Sequence, residues 1–477
     1  MGQFRLMGEL RMGRGLLFSA LSALVLISCS APQKLQVPQL PLPPAFSKTG
    51  TDPLADKWWL AFEDEILNGL IREALAANLT LQGTWDRLEQ SRAIAIRSGS
   101  ERFATIQGTA SAGRTASRTA GIGRSTVSDF SLGVSASYEL DLWGRVRASL
   151  NAAELDVLVS KEDLVAAAIS LSAEIASVWY RLVEQSRQID LLKRQIVTNE
   201  KLVELVTLRF QVGQVPASDV LQQRQTLEAT RGNLALAGAE EQVLANQLAV
   251  LRGRAPGAAA STDGARLPRL PPAPAAGLPV DVIQRRPDIR KAFYGVKAAD
   301  ERVAAAIADK FPKFSLTAST TLSGTGSDDL FQNWLANLAG NIVTPLFDAG
   351  SRDAEAERAK AAYDEALHSY QQAVLTSLRE VEDAIVRETQ QAAYLASLNR
   401  QLDLSQKSSE QTRQRYIRGD QDFLRFLNSL VSHQSLERDQ VRARRELIVF
   451  RINLYRSIAG GWELERSRLS TRTERDG

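Results

Sequence analysis

The chain says one thing twice. Shifted by 206 residues, Glu174 falls on Glu380, Gln185 on Gln391, Leu192 on Leu398, Arg194 on Arg400, Lys201 on Lys407, Arg209 on Arg415, Gly213 on Gly419 and Leu221 on Leu427. Upstream, a shift of 208 brings Phe103 onto Phe311 and Thr109-Ala110-Ser111 onto Thr317-Ala318-Ser319, as an insertion or deletion in a strand-connecting loop would produce. In 477 residues a repeat of this length means two copies of one elongated unit rather than several globular domains. The expected division is 58–252 for the first repeat and 280–462 for the second. Between them, Gly253 to Pro279 is too rich in proline and glycine for a helix or a central strand. Each repeat reads as a helix, two strands, a very long helix and a shorter one.

The strands have a clean period of two. In "FSLGVSASYEL", Phe130, Leu132, Val134, Ala136, Tyr138 and Leu140 alternate with Ser131, Gly133, Ser135, Ser137 and Glu139. In the second repeat Phe314, Leu316, Ala318, Thr320 and Leu322 alternate with Ser315, Thr317, Ser319, Thr321 and Ser323. Two weaker partners place Ala104, Ile106, Gly108, Ala110 and Ala112 on one face, and Trp334, Ala336, Leu338, Gly340 and Ile342 on another. The expected spans are 103–114, 128–141, 312–324 and 333–346. A half-buried soluble sheet alternates in the same way. A length of about ten residues, aromatics at strand ends (Phe130, Tyr138, Phe314, Trp334) and a serine, threonine and asparagine off-face fit a tilted membrane strand with a girdle and a wet lumen. Four strands cannot close a barrel, and an open edge in lipid leaves backbone groups unpaired. The strands must then come from more than one copy: two give eight strands packed nearly shut, three give twelve and leave a pore.

No proline occurs from Gly144 to Val212. Leu164, Ala168, Leu171, Ile175, Val178, Leu182, Ile189, Leu192, Ile196, Val203, Val206 and Phe210 follow steps of four and three, skipping Gln185 and Asn199. That heptad seam specifies a coiled-coil helix of roughly 100 Å. The second-repeat counterpart, 352–418, has a less apolar seam: Tyr370, Val374, Val381, Leu395, Leu398 and Leu402 are interrupted by Ser377, Glu388 and Gln391. Each long helix reaches a glycine, Gly213 or Gly419, and returns along a partner over 216–251 or 421–458, with Pro216 as a helix start. A filamentous coiled coil would explain the heptads but not the strands.

The sole cysteine, Cys29, follows a basic start (Arg5, Arg11, Arg14) and the apolar run Leu16 to Ile27, which is too short to span a bilayer. Residues 1–28 therefore read as a secretory signal, and Leu26-Ile27-Ser28-Cys29 resembles a bacterial lipobox, which makes Cys29 the lipidated first residue of the mature chain. A proline-rich segment, 29–57, follows. Loss of the three arginines and Glu9 takes the net charge from +3 to +1, which gives no reason to propose nucleic acid as a partner. The charged 463–477 tail lacks a core pattern and is expected to be disordered.

Little points to an enzyme. His368 and His433 stand far apart without metal-ligand spacing, and Gly121 to Ser128 lacks the ending of a phosphate loop. No metal site and no cofactor is expected beyond the covalent lipid on Cys29.

With these residues assembled, the chain resembles the bacterial outer membrane factors: the TolC-like efflux family, in its OprM/NodT-type lipoprotein branch. The likeness rests on "WWLAFEDEILNGLIREALAANLTL" (Trp58 to Leu81), "YELDLWGRVR" (Tyr138 to Arg147), "RFQVGQVPASDVL" (Arg209 to Leu221), "LPVDVIQRRPDIR" (Leu278 to Arg290) and "RYIRGDQDFL" (Arg415 to Leu424), all five in order. It implies a mainly α protein with a membrane β-barrel, four strands and two long helical hairpins per protomer. A homotrimer then forms a 12-stranded barrel and an α-helical periplasmic tunnel. It implies the exit duct of a tripartite efflux system, anchored in the outer membrane and partnered by a periplasmic adaptor and an inner-membrane pump. A structural or adhesive lipoprotein and a protein-secretion duct are the alternatives. Within the signature pieces, Gly144 and Pro287 read as turn and helix-start devices. The resemblance assigns adaptor contact to the tips, Val212, Gly213 and Gln214 in one repeat and Arg418, Gly419 and Asp420 in the other, although "RGD" departs from the usual tip. It places the tunnel's closed end at Leu424, Arg425 and Asn428, with Asp219 and Asp422 as acidic neighbours; Asn428 stands where a carboxylate is common.

Overall fold

The computed structural model describes residues 41–50, 56–257, 262, 264–326, 328–460, 462 and 464. Cys29, the signal segment and most of the tail lie outside them. After a 3₁₀ turn at Trp58–Phe62 come α1 (Glu65–Ala77) and α2 (Leu79–Ser100). The hairpin β1 (Thr105–Thr119) and β2 (Gly123–Leu140) follows, then α3 (Arg145–Gln211) and α4 (Ala217–Leu251). The second half runs α5 (Pro279–Arg285), α6 (Pro287–Ala308), β3 (Lys313–Gly324), β4 (Trp334–Val343), α7 (Ser351–Arg418) and α8 (Phe423–Ile458).

Glycine and proline set the joints. Gly144 and Gly350, one repeat apart, precede the two long helices with φ of 79° and 83°, where a side chain would strain the backbone. Asp141 accepts from the amides of Val146 and Arg147 at 3.0 and 2.9 Å, which satisfies donors that the first turn of α3 leaves free. Pro287 opens α6 and Pro216 immediately precedes α4. At 1.5 Å per residue the 67 residues of α3 and the 68 of α7 each reach roughly 100 Å. One stretch of α3 is apolar enough to cross a bilayer by composition, but 67% of it is buried against other helices, so it is core.

The four strands form one antiparallel sheet in the order β1-β2-β3-β4. The first hairpin is longer than its alternation implies. β1 and β2 continue as a ladder beyond Ala112↔Phe130 to Arg118↔Arg124, whereas β3 ends at Gly324 opposite Phe130. The apolar alternation stops at Ala112, but threonines, serines and a tight turn with Gly121 and Gly123 at positive φ carry the pairing on.

The main core gathers where the 3₁₀ turn, α1, α3 and α8 meet. Trp58 stacks on Tyr455 with centroids 5.6 Å apart, and Phe62 tilts against Tyr180 at 5.7 Å. The linker lies across this region, held by its carbonyls: Arg187 donates to Ala265, Arg444 to Leu267 and Arg451 to Pro272, at 2.7, 2.9 and 2.7 Å.

The interruptions of the two heptad seams are the polar ties of the helices. Gln185 Nε2 donates to Ala237 O at 3.0 Å, and one repeat later Gln391 Nε2 donates to Ala443 O at 3.0 Å. The duplication is thus repeated atom for atom. Glu388 pairs with the buried Arg451 at 2.6 Å. Asn199, fully buried, is a hub. It donates to Thr230 Oγ1 at 3.0 Å, its side-chain oxygen accepts from Gln434 at 3.4 Å and its carbonyl accepts from Gln223 at 3.3 Å. Beside it Gln195 donates to Gln434 O at 3.1 Å and accepts from Arg438 at 2.6 Å. The lower α3·α8 contact is therefore polar at its centre, and Ile196, Val203 and Phe210 of the apolar seam are only half buried or exposed there. Asn199→Ala leaves the buried Gln434 amide without its acceptor and Thr230 Oγ1 without its donor, and should cost about 1–3 kcal/mol in denaturant unfolding. Gln434→Ala added to it should cost less than it does alone, since the two share a contact. Strictly additive losses would show that Asn199 is no hub.

Candidate functional site: the open sheet and the helical tips

The register puts all the even-numbered residues of the sheet on one face. Ile106↔Ala136, Leu132↔Leu322, Tyr138↔Leu316, Leu316↔Gly340 and Leu322↔Trp334 are directly paired. The other face is a ladder of small polar groups, with Ser111 and Ser131 hydroxyls 2.8 Å apart and Asn341 donating to Thr317 at 3.2 Å. The aromatics expected at strand ends fall in two rows. Phe130 and Trp334 stand at the level of the β3–β4 turn, with Phe130 inside β2 rather than at its end because the first hairpin runs on past it; Tyr138 and Phe314 stand near the helices. The eight residue steps from Phe130 to Tyr138 reach roughly 26 Å along the strand, about 20 Å after a barrel strand's tilt, close to the apolar band of a membrane barrel. Ile106, Leu132, Val134, Leu316, Trp334, Leu338 and Ile342 are exposed large apolar residues. Among the described residues, β1 and β4 each lack a partner on one side.

The sheet joins the helices through aromatic and ionic contacts. Trp143 stacks on Phe311 at 4.8 Å and donates to Pro312 O at 2.8 Å. Arg145 forks onto the Glu139 carboxylate with two 3.0 Å contacts.

At the opposite end each long helix closes with the same cap. Gln214 N donates to Arg209 O at 2.8 Å around Gly213, and Asp420 N to Arg415 O at 3.0 Å around Gly419. Those six-residue returns need φ of 76° and 86° at the glycines. Val212, Gly213, Gln214, Arg418, Gly419 and Asp420 are all exposed. Below them lies a small core that sequence patterning missed: Tyr416 stacked on Phe426 at 5.5 Å, with Phe423, Leu202, Val206, Val220, Leu427 and Leu430. Arg209 ties the two hairpins together. It donates to Tyr416 O and Ile417 O at 3.0 and 2.9 Å, and its guanidinium lies 4.4 Å from the Tyr416 ring centroid. Burial raises the Tyr416 phenol above its ordinary pKa, and Arg209 partly offsets this. Tyr416, Phe423 and Phe426, lying on either side of Gly419 at mutual separations of three, seven and ten residues, were the available signal.

Leu424, Arg425 and Asn428 are exposed, on the side of α8 away from Phe423, Phe426 and Leu427. Asp422 is spent on capping, accepting from the Arg425 amide at 2.8 Å. Among the described residues Arg425 makes no ion pair with Asp422 or Asp219 inside one chain, so the sequence expectation of Arg425 facing acidic neighbours is not met within a protomer. Asp219 is half exposed in the first turn of α4, at the place in repeat one that Arg425 holds in repeat two. Among the described residues no group of three or more histidines, cysteines, aspartates or glutamates is placed to hold a metal ion.

The profile of the family described as "Outer membrane efflux protein" matches the chain twice, at residues 70–254 and 278–460. The chain belongs to that family. The toluene, antibiotic and probable efflux pump relatives include the TtgC protein of Pseudomonas putida, 30% identical over 476 residues, covering 94% of this chain and 96% of the relative. The pyoverdine export outer membrane protein OpmQ of Pseudomonas aeruginosa is 28% identical over 433 residues, covering 87% and 89%. Among solved structures, the outer-membrane channel OprN superposes with a TM-score of 0.83 at 28% identity, over 91% of this chain and all of that one. The MtrE channel of Neisseria gonorrhoeae does so at 0.79 and 25%, over 92% and 99%. This is an outer-membrane efflux channel, with strands for the membrane and helices for the periplasm. Its tip tie is testable: Arg209→Ala removes two charged hydrogen bonds, and losing about 1.5 kcal/mol should speed amide exchange across Tyr416 to Asp420 roughly tenfold. Unchanged exchange would show that the aromatic core alone holds the tips.

Proposed function

We propose that three copies of this chain close head to tail into one duct. A twelve-stranded barrel crosses the outer membrane and an α-helical tunnel continues it into the periplasm, carrying small molecules from an inner-membrane pump and a periplasmic adaptor to the exterior. The observation that carries this reading is an asymmetry of burial between duplicated residues. Gln188 and Gln195 on α3 are 7% and 4% exposed because α8 covers them. Their counterparts on α7, Tyr394 and Gln401, are exposed. On α8, Gln434 is 6% exposed, while its counterpart on α4, Glu228, is exposed. That same uncovered face of α4 carries Leu221, Gly232, Leu236, Ala239, Val243 and Val250, with Leu236 at 71% exposure. Continuing the internal contact one repeat further sets α7 of one copy on α4 of the next, with Tyr394 beside the second copy's Gly232, as Gln188 lies beside Arg438. Arg415, which has no side-chain partner among the described residues, then meets tip carbonyls of the next copy as Arg209 meets Tyr416 and Ile417. The same head-to-tail step joins β4 to β1, which removes the open edges.

In this reading Cys29 carries the lipid anchor, and Phe130, Tyr138, Phe314 and Trp334 form the girdle. The tips at 212–214 and 418–420 receive the adaptor. Leu424, Arg425 and Asn428 of each copy, with Asp219 and Asp422, ring the inner aperture. Because Asp219 and Arg425 hold one place in the two repeats, a closed ring alternates their charges and avoids the cost of a single-sign ring. The relatives are named for cargo as different as pyoverdine, toluene and cations, so the shared duct supports a small-molecule role without a narrower cargo.

A short bismaleimide applied to the Tyr394→Cys, Gly232→Cys double variant should shift the denatured band to the mass of three chains, with each single variant unshifted. An assembled channel whose double variant stays uncrosslinked would refute the α7-on-α4 contact. Arg425→Ala should raise basal conductance and antibiotic entry; an unchanged leak would remove Arg425 from the aperture.

A further inference from the structure

We infer that the outward end of the β1–β2 hairpin is a seat for phosphate-bearing lipid headgroups, held by Arg114, Arg118 and Arg124. The inference rests on the membrane-channel reading. The strand turns lie at the end of the sheet away from the helices, so in an outer-membrane channel with periplasmic helices they face the outer leaflet and the exterior. The hairpin overshoots β3 at this end, and on its even-numbered face the apolar series stops at Ala112↔Phe130. Arg114, opposite Ser128, is the next residue on that face, and Arg118 stands directly opposite Arg124 beyond it. All three are exposed. The cations therefore continue the lipid-facing surface, starting one step past the upper aromatic row, at the depth where headgroups lie.

Their electrostatics are one-sided. There is no acidic residue from Thr105 to Ser128. Asp129, paired with Gly113, lies on the lumen-side face. None of the three guanidiniums makes an ion pair among the described residues, although arginines elsewhere in the chain commonly do. Like charges directly across a ladder destabilise it, and an anion between Arg118 and Arg124 reverses the sign of that contribution. A guanidinium presents a planar fork that fits two oxygens of a phosphate. Arg114 and Arg118 are four residues apart, roughly 13 Å along the strand. A lipid headgroup with two well-separated phosphates can therefore engage Arg114 with one and the Arg118/Arg124 pair with the other.

The test uses the full-length assembled protein in detergent, with its thermal midpoint followed against diphosphoryl lipid A, the dephosphorylated lipid and inorganic phosphate. Diphosphoryl lipid A should raise the midpoint of the native protein, and the dephosphorylated lipid should not. The triple variant Arg114→Gln, Arg118→Gln, Arg124→Gln should lose the rise while keeping the native conductance in planar bilayers. An equal rise in the triple variant would overturn the seat. An equal rise with inorganic phosphate at matched phosphate concentration would overturn the lipid assignment and leave a free-anion site. If neither the native protein nor the Arg425→Ala variant conducts, the channel reading itself fails, and the seat with it.

Discussion

Backbone amides and carbonyls at the edges of an open sheet must find partners before a chain like this can sit in lipid. The four strands satisfy one another through three ladders and, among the described residues, leave β1 and β4 each with an open side. In water such edges are tolerable, but in hydrocarbon each unsatisfied group costs several kcal/mol. One copy of the chain cannot end that series of unpaired groups; only another copy's edge can. The duplication makes such joining simple, because the step from the first repeat to the second inside the chain can be reused from the second repeat to the first of the next copy. In the proposed ring, one interface geometry would then serve every junction.

The helices meet a different difficulty. A heptad seam of roughly 100 Å fixes which faces touch but leaves the helices free to slip by whole heptads. Glutamines within and beside the seams remove that freedom. Gln185 addresses Ala237 O, Gln391 Ala443 O, Gln188 Arg438 O and Gln195 Gln434 O. Each is a side-chain amide donating to a main-chain carbonyl of the neighbouring helix, so a slip would leave buried polar groups unpaired. The Asn199 hub and the Arg209 fork extend this axial locking to the tips. Stability is traded for register, as buried polar residues do in shorter coiled coils.

Much of this was legible in the residues themselves. Gly144, Gly213, Pro216 and Gly419 mark helix ends through backbone geometry that depends on local sequence alone, and the long helices run between them as expected. The period-two alternation of Phe130 to Leu140 and Phe314 to Leu322 likewise locates β2 and β3, because a pleated strand must send neighbours to opposite faces. The polar ties were not legible. Gln185, Asn199 and Gln391 read as gaps in an apolar seam, since their worth depends on a carbonyl or amide distant in sequence. The overshoot of β1 and β2 was missed because its ladder is held by backbone pairing and a glycine turn rather than by apolar alternation. Arg209 looked like part of a tip motif; only the approach of the second hairpin, with Tyr416 beneath it, makes it a tie.

Single-particle electron microscopy of the full-length protein in detergent separates a hollow ring of three copies from every other arrangement of this chain. A three-copy duct should appear as a threefold hollow cylinder, with a short detergent belt around the strands and a long bare helical tube narrowing at the Gly213 and Gly419 tips. Solid rods, or single copies with a sheet still open at β1 and β4, would rule the ring out.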